Sequence, residues 1–155
     1  MRPSLRSIAT AVALSTLPLL SLAQVTVKDP WVRGTVAQQK ATGAFMQVVS
    51  AAGGRLVSAL SPVAGVVEIH EVVMDGNVMK MRAIASLDLP AGKAVELKPG
   101  GHHVMLMDLK QALQAGQSVP ITLVVEGAGG KRETVQISAT VRPLASAPAH
   151  AGHKH

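Results

Sequence analysis

At 155 residues, with 48% apolar residues, 15% charged residues, 14 Gly and 9 Pro, the chain suits one turn-rich folded domain and excludes both a large multidomain enzyme and a disordered charged chain. One Trp, one Phe and no Tyr leave almost no platform for stacking bases, and the basic residues behind a net charge of +6 are scattered singly, which argues against nucleic acid as a partner. The absence of Cys removes disulfides, thiolate nucleophiles, Cys-bound zinc and the His₂Cys blue-copper site together.

The first element is a secretory signal. Arg2 and Arg6 precede an uncharged apolar stretch over 7–22, and Ser21-Leu22-Ala23 places small residues at a cleavage site after Ala23. Pro18 and the shortness of the stretch disfavour a membrane anchor. Residues 1–23 are therefore expected to leave, with a mature chain starting at Gln24 and acting as a soluble monomer in the periplasm.

From residue 25 onward, apolar alternation is punctuated by turn residues every eight to twelve positions, the pattern of an all-β sandwich. Nine strands are expected, at 25–32, 42–49, 55–61, 66–74, 78–83, 94–97, 103–109, 119–126 and 132–141. The breaks between them carry turn chemistry at Gly53-Gly54, Asp75-Gly76, Leu89-Pro90-Ala91-Gly92, Pro99-Gly100-Gly101 and 127–130. Residues 109–115 compete as a helix but read as a loop or a single turn before Gly116. One domain over 24–143 accounts for all of this. Residues 144–155 form the end, expected to be a flexible tail because from Ser146 the composition shifts to Ala, Pro, Gly, His and Lys without large apolar groups.

Histidine and methionine are clustered. Met74, Met79, Met81, Met105 and Met107 all fall within one stretch that also holds His70, His102 and His103. With Asp75-Gly76 as a two-residue type I′ turn, Met74 would face Asn77 and His70 would lie directly opposite Met81, with Val72 and Met79 between them on the same face. His103 and Met105 stand at i and i+2 and share a face, continued by Met107, while His102 points away. The hairpin and the third strand thus offer one His and one Met each, and four such groups could converge at one end of a sandwich. Imidazole with neutral thioether suits Cu(I), whereas zinc prefers thiolate, imidazole or carboxylate and calcium prefers oxygen. A lone Met on a strand is otherwise core filler; Met46 is expected to be that case, and Met79 and Met107 divide between core packing and a second layer or sulfur-rich rim around the site.

The spacing from His70 through Met81 to His103 and Met105 reads H-x10-M-x21-H-x-M, which resembles the metal motif of the periplasmic copper chaperones called PCu(A)C. Asp29-Pro30-Trp31-Val32-Arg33, Thr42-Gly43-Ala44-Phe45-Met46 and Leu97-Lys98-Pro99-Gly100-Gly101-His102-His103 are also similar to that family. The resemblance, from Val25 to about Val141, implies a cupredoxin-like Greek-key β-sandwich. It further implies Cu(I) held by His70, Met81, His103 and Met105, and delivery of copper to the Cu(A) centre of cytochrome c oxidase or to a partner chaperone. A second site for Cu(II) is expected in the tail at His150, His153 and His155. The alternatives are a copper or silver sequestration protein, and an extracellular interaction sandwich whose Met and His only pack. No Ser/His/Asp arrangement or paired carboxylate accompanies the His cluster, so no enzyme is expected.

Overall fold

Alternating Val, Leu and Ile side chains need an apolar layer on one side only, and the chain supplies it by curling one long sheet over itself. The structure, a computed structural model, describes residues 24–144; the signal-peptide and His-tail expectations lie outside those residues. The strands are β1 (Val25–Arg33), β2 (Ala41–Ser50), β3 (Gly54–Leu60), β4 (Ala64–Asp75), β5 (Val78–Ile84), β6 (Leu87–Leu89), β7 (Ala94–Leu97), β8 (His103–Leu109), β9 (Ser118–Glu126) and β10 (Arg132–Arg142). A single 3-10 turn, Ala128–Gly130, precedes β10. No helix among the described residues is long and apolar enough to cross a membrane.

The strand order is β5-β4-β8-β2-β1-β10-β9-β3-β6, with β7 also paired to β2. β1 runs parallel to β10 and every other ladder is antiparallel. The two halves of this path form the cupredoxin-like sandwich. Its core joins Ile69, Val104 and Leu106 from one half to Leu56, Ile121 and Leu123 from the other. Met46 is 4% exposed and belongs to this core.

Two sequence expectations need correction. The structure has ten strands, because Leu87 and Leu89 are buried around an exposed Asp88 and pair with β3; three residues are too few for alternation to register before Pro90 ends the strand. The β4–β5 hairpin also turns one residue later than expected. Asp75 pairs with Val78, and the turn is Gly76-Asn77. Gly76 has φ 64°, while Asn77 is not left-handed, so glycine occupies the first central position as in a type II′ turn. Asp75 thereby stays in the strand and bonds Lys80. His70 consequently faces Ala83, and Met81 faces Val72. The slip moves each partner by two positions, which preserves the face of every side chain: His70 and Met81 remain on one face but are diagonal neighbours.

Candidate metal centre

Three adjacent strands carry the site on the side of the sheet turned away from the core. β4 and β8 pair with His70 opposite His103 and Glu68 opposite Met105, and opposed residues share a face. The intervening Ile69, Val104 and Leu106 fill the core, so period-two alternation leaves His70, His103 and Met105 together on the outer surface. β5 adds Met81 on that face. β2 completes the floor with Gly43 opposite Met105.

The wall is aromatic. Phe45 is buried yet stands outside the core cluster, its ring centroid 4.5 Å from Trp31 and 6.1 Å from His103. A Cβ on Gly43 would lie 2.6 Å from Phe45 Cζ, so glycine is what lets the ring fold back over β2. Trp31 is aimed by a bulge in β1: the register slips between Lys28 and Trp31, Asp29 takes φ 48°, and the alternation flips so that Val32 enters the core while Trp31 meets Phe45. The guanidinium of Arg33 lies 5.5 Å from the Phe45 ring centre and that of Arg142 lies 4.7 Å from the Trp31 ring centre, fixing the pair by cation–π attraction. A cleft of about 200 Å³ opens here, lined by Met81, His103 and Met105 with Arg33, Phe45 and Gly100.

The imidazoles are held in defined roles. His103 is 3% exposed, and its Nδ1 lies 2.9 Å from the Gly101 carbonyl oxygen. A carbonyl only accepts, so Nδ1 carries the proton and Nε2 presents its lone pair. His70 Nε2 lies 2.8 Å from Glu68 Oε2; a carboxylate only accepts, so Nε2–H donates, and in the neutral ring Nδ1 carries the lone pair. His103 Nε2 and His70 Nδ1 are both buried without a hydrogen-bond partner, a costly condition for a polar atom unless something else occupies the lone pair. The ring centroids are 5.7 Å apart. Burial pushes the His103 pKa below the ordinary imidazole value, the Gly101 bond opposes this, and the proximity of His70, His102 and Arg33 acts in the same direction as burial. His103 is therefore neutral near pH 7 and competent to ligate.

Among the described residues no three His, Cys, Asp or Glu side chains gather as a metal site, so a metal here must draw on Met as well as His. Met105 is half-buried and Met81 is 61% exposed. Met79 is also 61% exposed, which removes the core-packing option for it, while Met107 is half-buried on the same face as Met105, opposite Val66. His102 lies apart, its Nε2 3.9 Å from Glu71 Oε2. Sequence reasoning missed Glu68, the Gly101 carbonyl, Gly43, Phe45 and Trp31 as parts of the site. The i, i+2 spacing of Glu68 and His70 on a strand was the available signal for the first; the Asp29-Pro30 bulge could not be read from alternation.

The LpqE-like family model, described as "Putative lipoprotein LpqE-like", matches residues 25–138. "Putative lipoprotein Lxx21020" of Leifsonia xyli subsp. xyli is 37% identical over 102 residues, covering 64% of this chain and 60% of that protein. "Uncharacterized protein RP573" of Rickettsia prowazekii is 31% identical over 116 residues, covering 71% and 64%. The matches span less than two thirds of the length of both relatives. Among solved structures, the copper-bound PCuAC domain from PmoF2 superposes with a TM-score of 0.63 at 26% identity, covering 80% of this chain and 97% of that one. The solution structure of Cu(I)-DR1885 from Deinococcus radiodurans gives a TM-score of 0.60 at 28% identity, covering 80% and 81%.

Proposed function

The chain belongs to the LpqE-like family, and for this member we propose the role of a copper carrier that takes Cu(I) at His70, Met81, His103 and Met105 and releases it by ligand exchange. The observation that carries the reading is the pair of buried, unpartnered imidazole nitrogens, His70 Nδ1 and His103 Nε2, on the same face as two thioethers. Neutral sulfur and neutral nitrogen favour a soft monovalent ion, and the donor set fits one. Structural similarity to a copper-bound PCuAC domain and to a Cu(I)-loaded protein supports the same ion.

The chemistry is binding and exchange, with no catalytic step. Glu68 and Gly101 fix which nitrogen of each ring is free. Phe45 and Trp31 screen one side of the site from water, and the exposed Met81 is the ligand an acceptor can replace first. After loss of residues 1–23 the protein works in the periplasm and delivers copper to the Cu(A) centre of cytochrome c oxidase or to a partner chaperone. Storage or detoxification is the second reading, favoured if release is slow, since it uses the same four groups.

Anaerobic Cu(I) titration against a competing chelator, followed by incubation with an apo Cu(A) domain, tests both. One tightly bound Cu(I) with mixed nitrogen and sulfur scattering in X-ray absorption, then transfer, is the expected outcome. An all-nitrogen shell would remove the thioethers from the site. Retention of copper in the presence of the apo domain would favour storage.

A further inference from the structure

The β4–β5 hairpin has two unlike faces. One is locked by the ion pairs Asp75–Lys80 and Glu71–Arg82. The other consists of His70, Val72 and Met74 opposite Ala83, Met81 and Met79, six residues without a carboxylate, Lys or Arg among them; Glu68, next along β4 on this face, is bonded to His70. Met74 and Met79 are a direct cross-strand pair beside the turn, 63% and 61% exposed. Directly paired residues hold their Cβ atoms about 5 Å apart, and Met81 on the same face is diagonal to Met74. Three flexible thioethers thus sit in water at the end of a strand pair and bury little of themselves; their cross-strand partners are Met and Val, and Met81 shares its cleft with Arg33. Core packing explains none of them.

We propose that Met74 and Met79, with Met81 as the shared member, form an outer Cu(I) site through which the ion enters and leaves the His70–His103 centre. Thioethers without anionic neighbours select a soft monovalent cation over harder ions. Met81 belongs to both sets, so the ion moves by exchanging neutral ligands one at a time; it remains Cu(I), and no proton or electron is transferred. The outer site holds the ion more weakly than the inner one, because all of its ligands are exposed and must be ordered on binding. The role in transfer rests on the proposed function, whereas occupancy of the outer pair does not.

The test uses the full chain with ¹³C-methyl methionine, titrated anaerobically with Cu(I), the methyl resonances being assigned by Met→Leu variants. The first equivalent should shift the Met81 and Met105 methyls. The second should shift those of Met74 and Met79 and move Met81 again. A Met74→Leu, Met79→Leu double variant keeps the apolar volume; it should lose the second event, keep the first-equivalent affinity and hand copper to a chelator several-fold more slowly. Unshifted Met74 and Met79 methyls at two equivalents would overturn the outer site, as would a double variant with the parent's transfer rate. Slower transfer to the chelator without methyl shifts would mean that these side chains act on access to the inner centre without binding the ion, and would equally overturn it. If the first equivalent leaves Met81 and Met105 unmoved, the proposed inner site fails, and the outer pair stands or falls on its own two methyls.

Discussion

The β8 half of the site and the β5 half are built in opposite ways. His103 is 3% exposed, tied to the Gly101 carbonyl and backed by Phe45, with Met105 beside it between Gly43 and Glu68. Met81 sits 61% exposed on β5, the edge of the sheet. A buried ligand whose rotamer and tautomer are already fixed loses little entropy when it binds, while an exposed thioether on an edge strand must be ordered. On the proposed ligand set, the contrast assigns affinity to β8 and exchange to β5, a division suited to a carrier that must both hold and release.

The largest effect should come from the buried half. His103→Ala should lower Cu(I) affinity by more than the roughly 10–100-fold typical of disturbing a group that merely supports a ligand. Met105→Leu should also weaken binding with the β fold retained, as circular dichroism would report. Met81→Leu should cost less affinity and act mainly on dissociation, measured by stopped-flow transfer to a chelator. Equal losses at Met81 and Met105 would erase the division between the halves. Glu68→Ala should fall near the low end, about tenfold, because His70 keeps its position but loses the bond that fixes its tautomer. Glu68→Gln, which still accepts a hydrogen bond, should recover most of that loss.

Acid sharpens the same contrast. The His103 pKa is lowered from 6.5 chiefly by burial, so the folded state prefers the neutral ring. The sign follows from linkage: the unfolded chain binds the proton more readily, and the stability due to this neutral ring is fully present above about pH 6.5 and is lost as pH falls towards the depressed folded value. Urea unfolding of the metal-free protein should show that decline, and His103→Gln should flatten it. Protons also compete with copper at the imidazoles and not at the thioethers, so Cu(I) affinity should drop over the His range. An affinity constant down to about pH 5 would exclude His ligation.

Much of this organisation was legible because strand alternation is a strict rule. His103-x-Met105 had to share a face, and so did His70 and Met81 under either register of the hairpin, since a two-residue slip changes partners without changing sides. The register itself was not legible. Asp75-Gly76 and Gly76-Asn77 are both acceptable turns, and the second wins with glycine in the left-handed position and Asp75 bonded to Lys80. The β6 strand and the Asp29-Pro30 bulge were hidden for related reasons: three residues are too short to show a period, and a bulge is an interruption of the period. The supporting residues were obscure because Glu68, Gly43 and the Gly101 carbonyl act through neighbours that only the folded sheet brings together.

The smallest expected effect on Cu(I) is none, and it concerns the His-bearing tail. His150, His153 and His155 offer imidazoles and backbone amides without sulfur, a donor set for the harder, tetragonal Cu(II) ion, while the sandwich face offers two thioethers suited to Cu(I). Truncation after Pro143 leaves every strand of the described residues intact, because β10 ends at Arg142. The truncated protein should therefore match the parent in Cu(I) competition titrations and lose stoichiometric Cu(II) binding, read by electron paramagnetic resonance. A full Cu(II) signal after truncation would place both oxidation states on the sandwich, and the separation of hard and soft sites between tail and sheet would have to be abandoned.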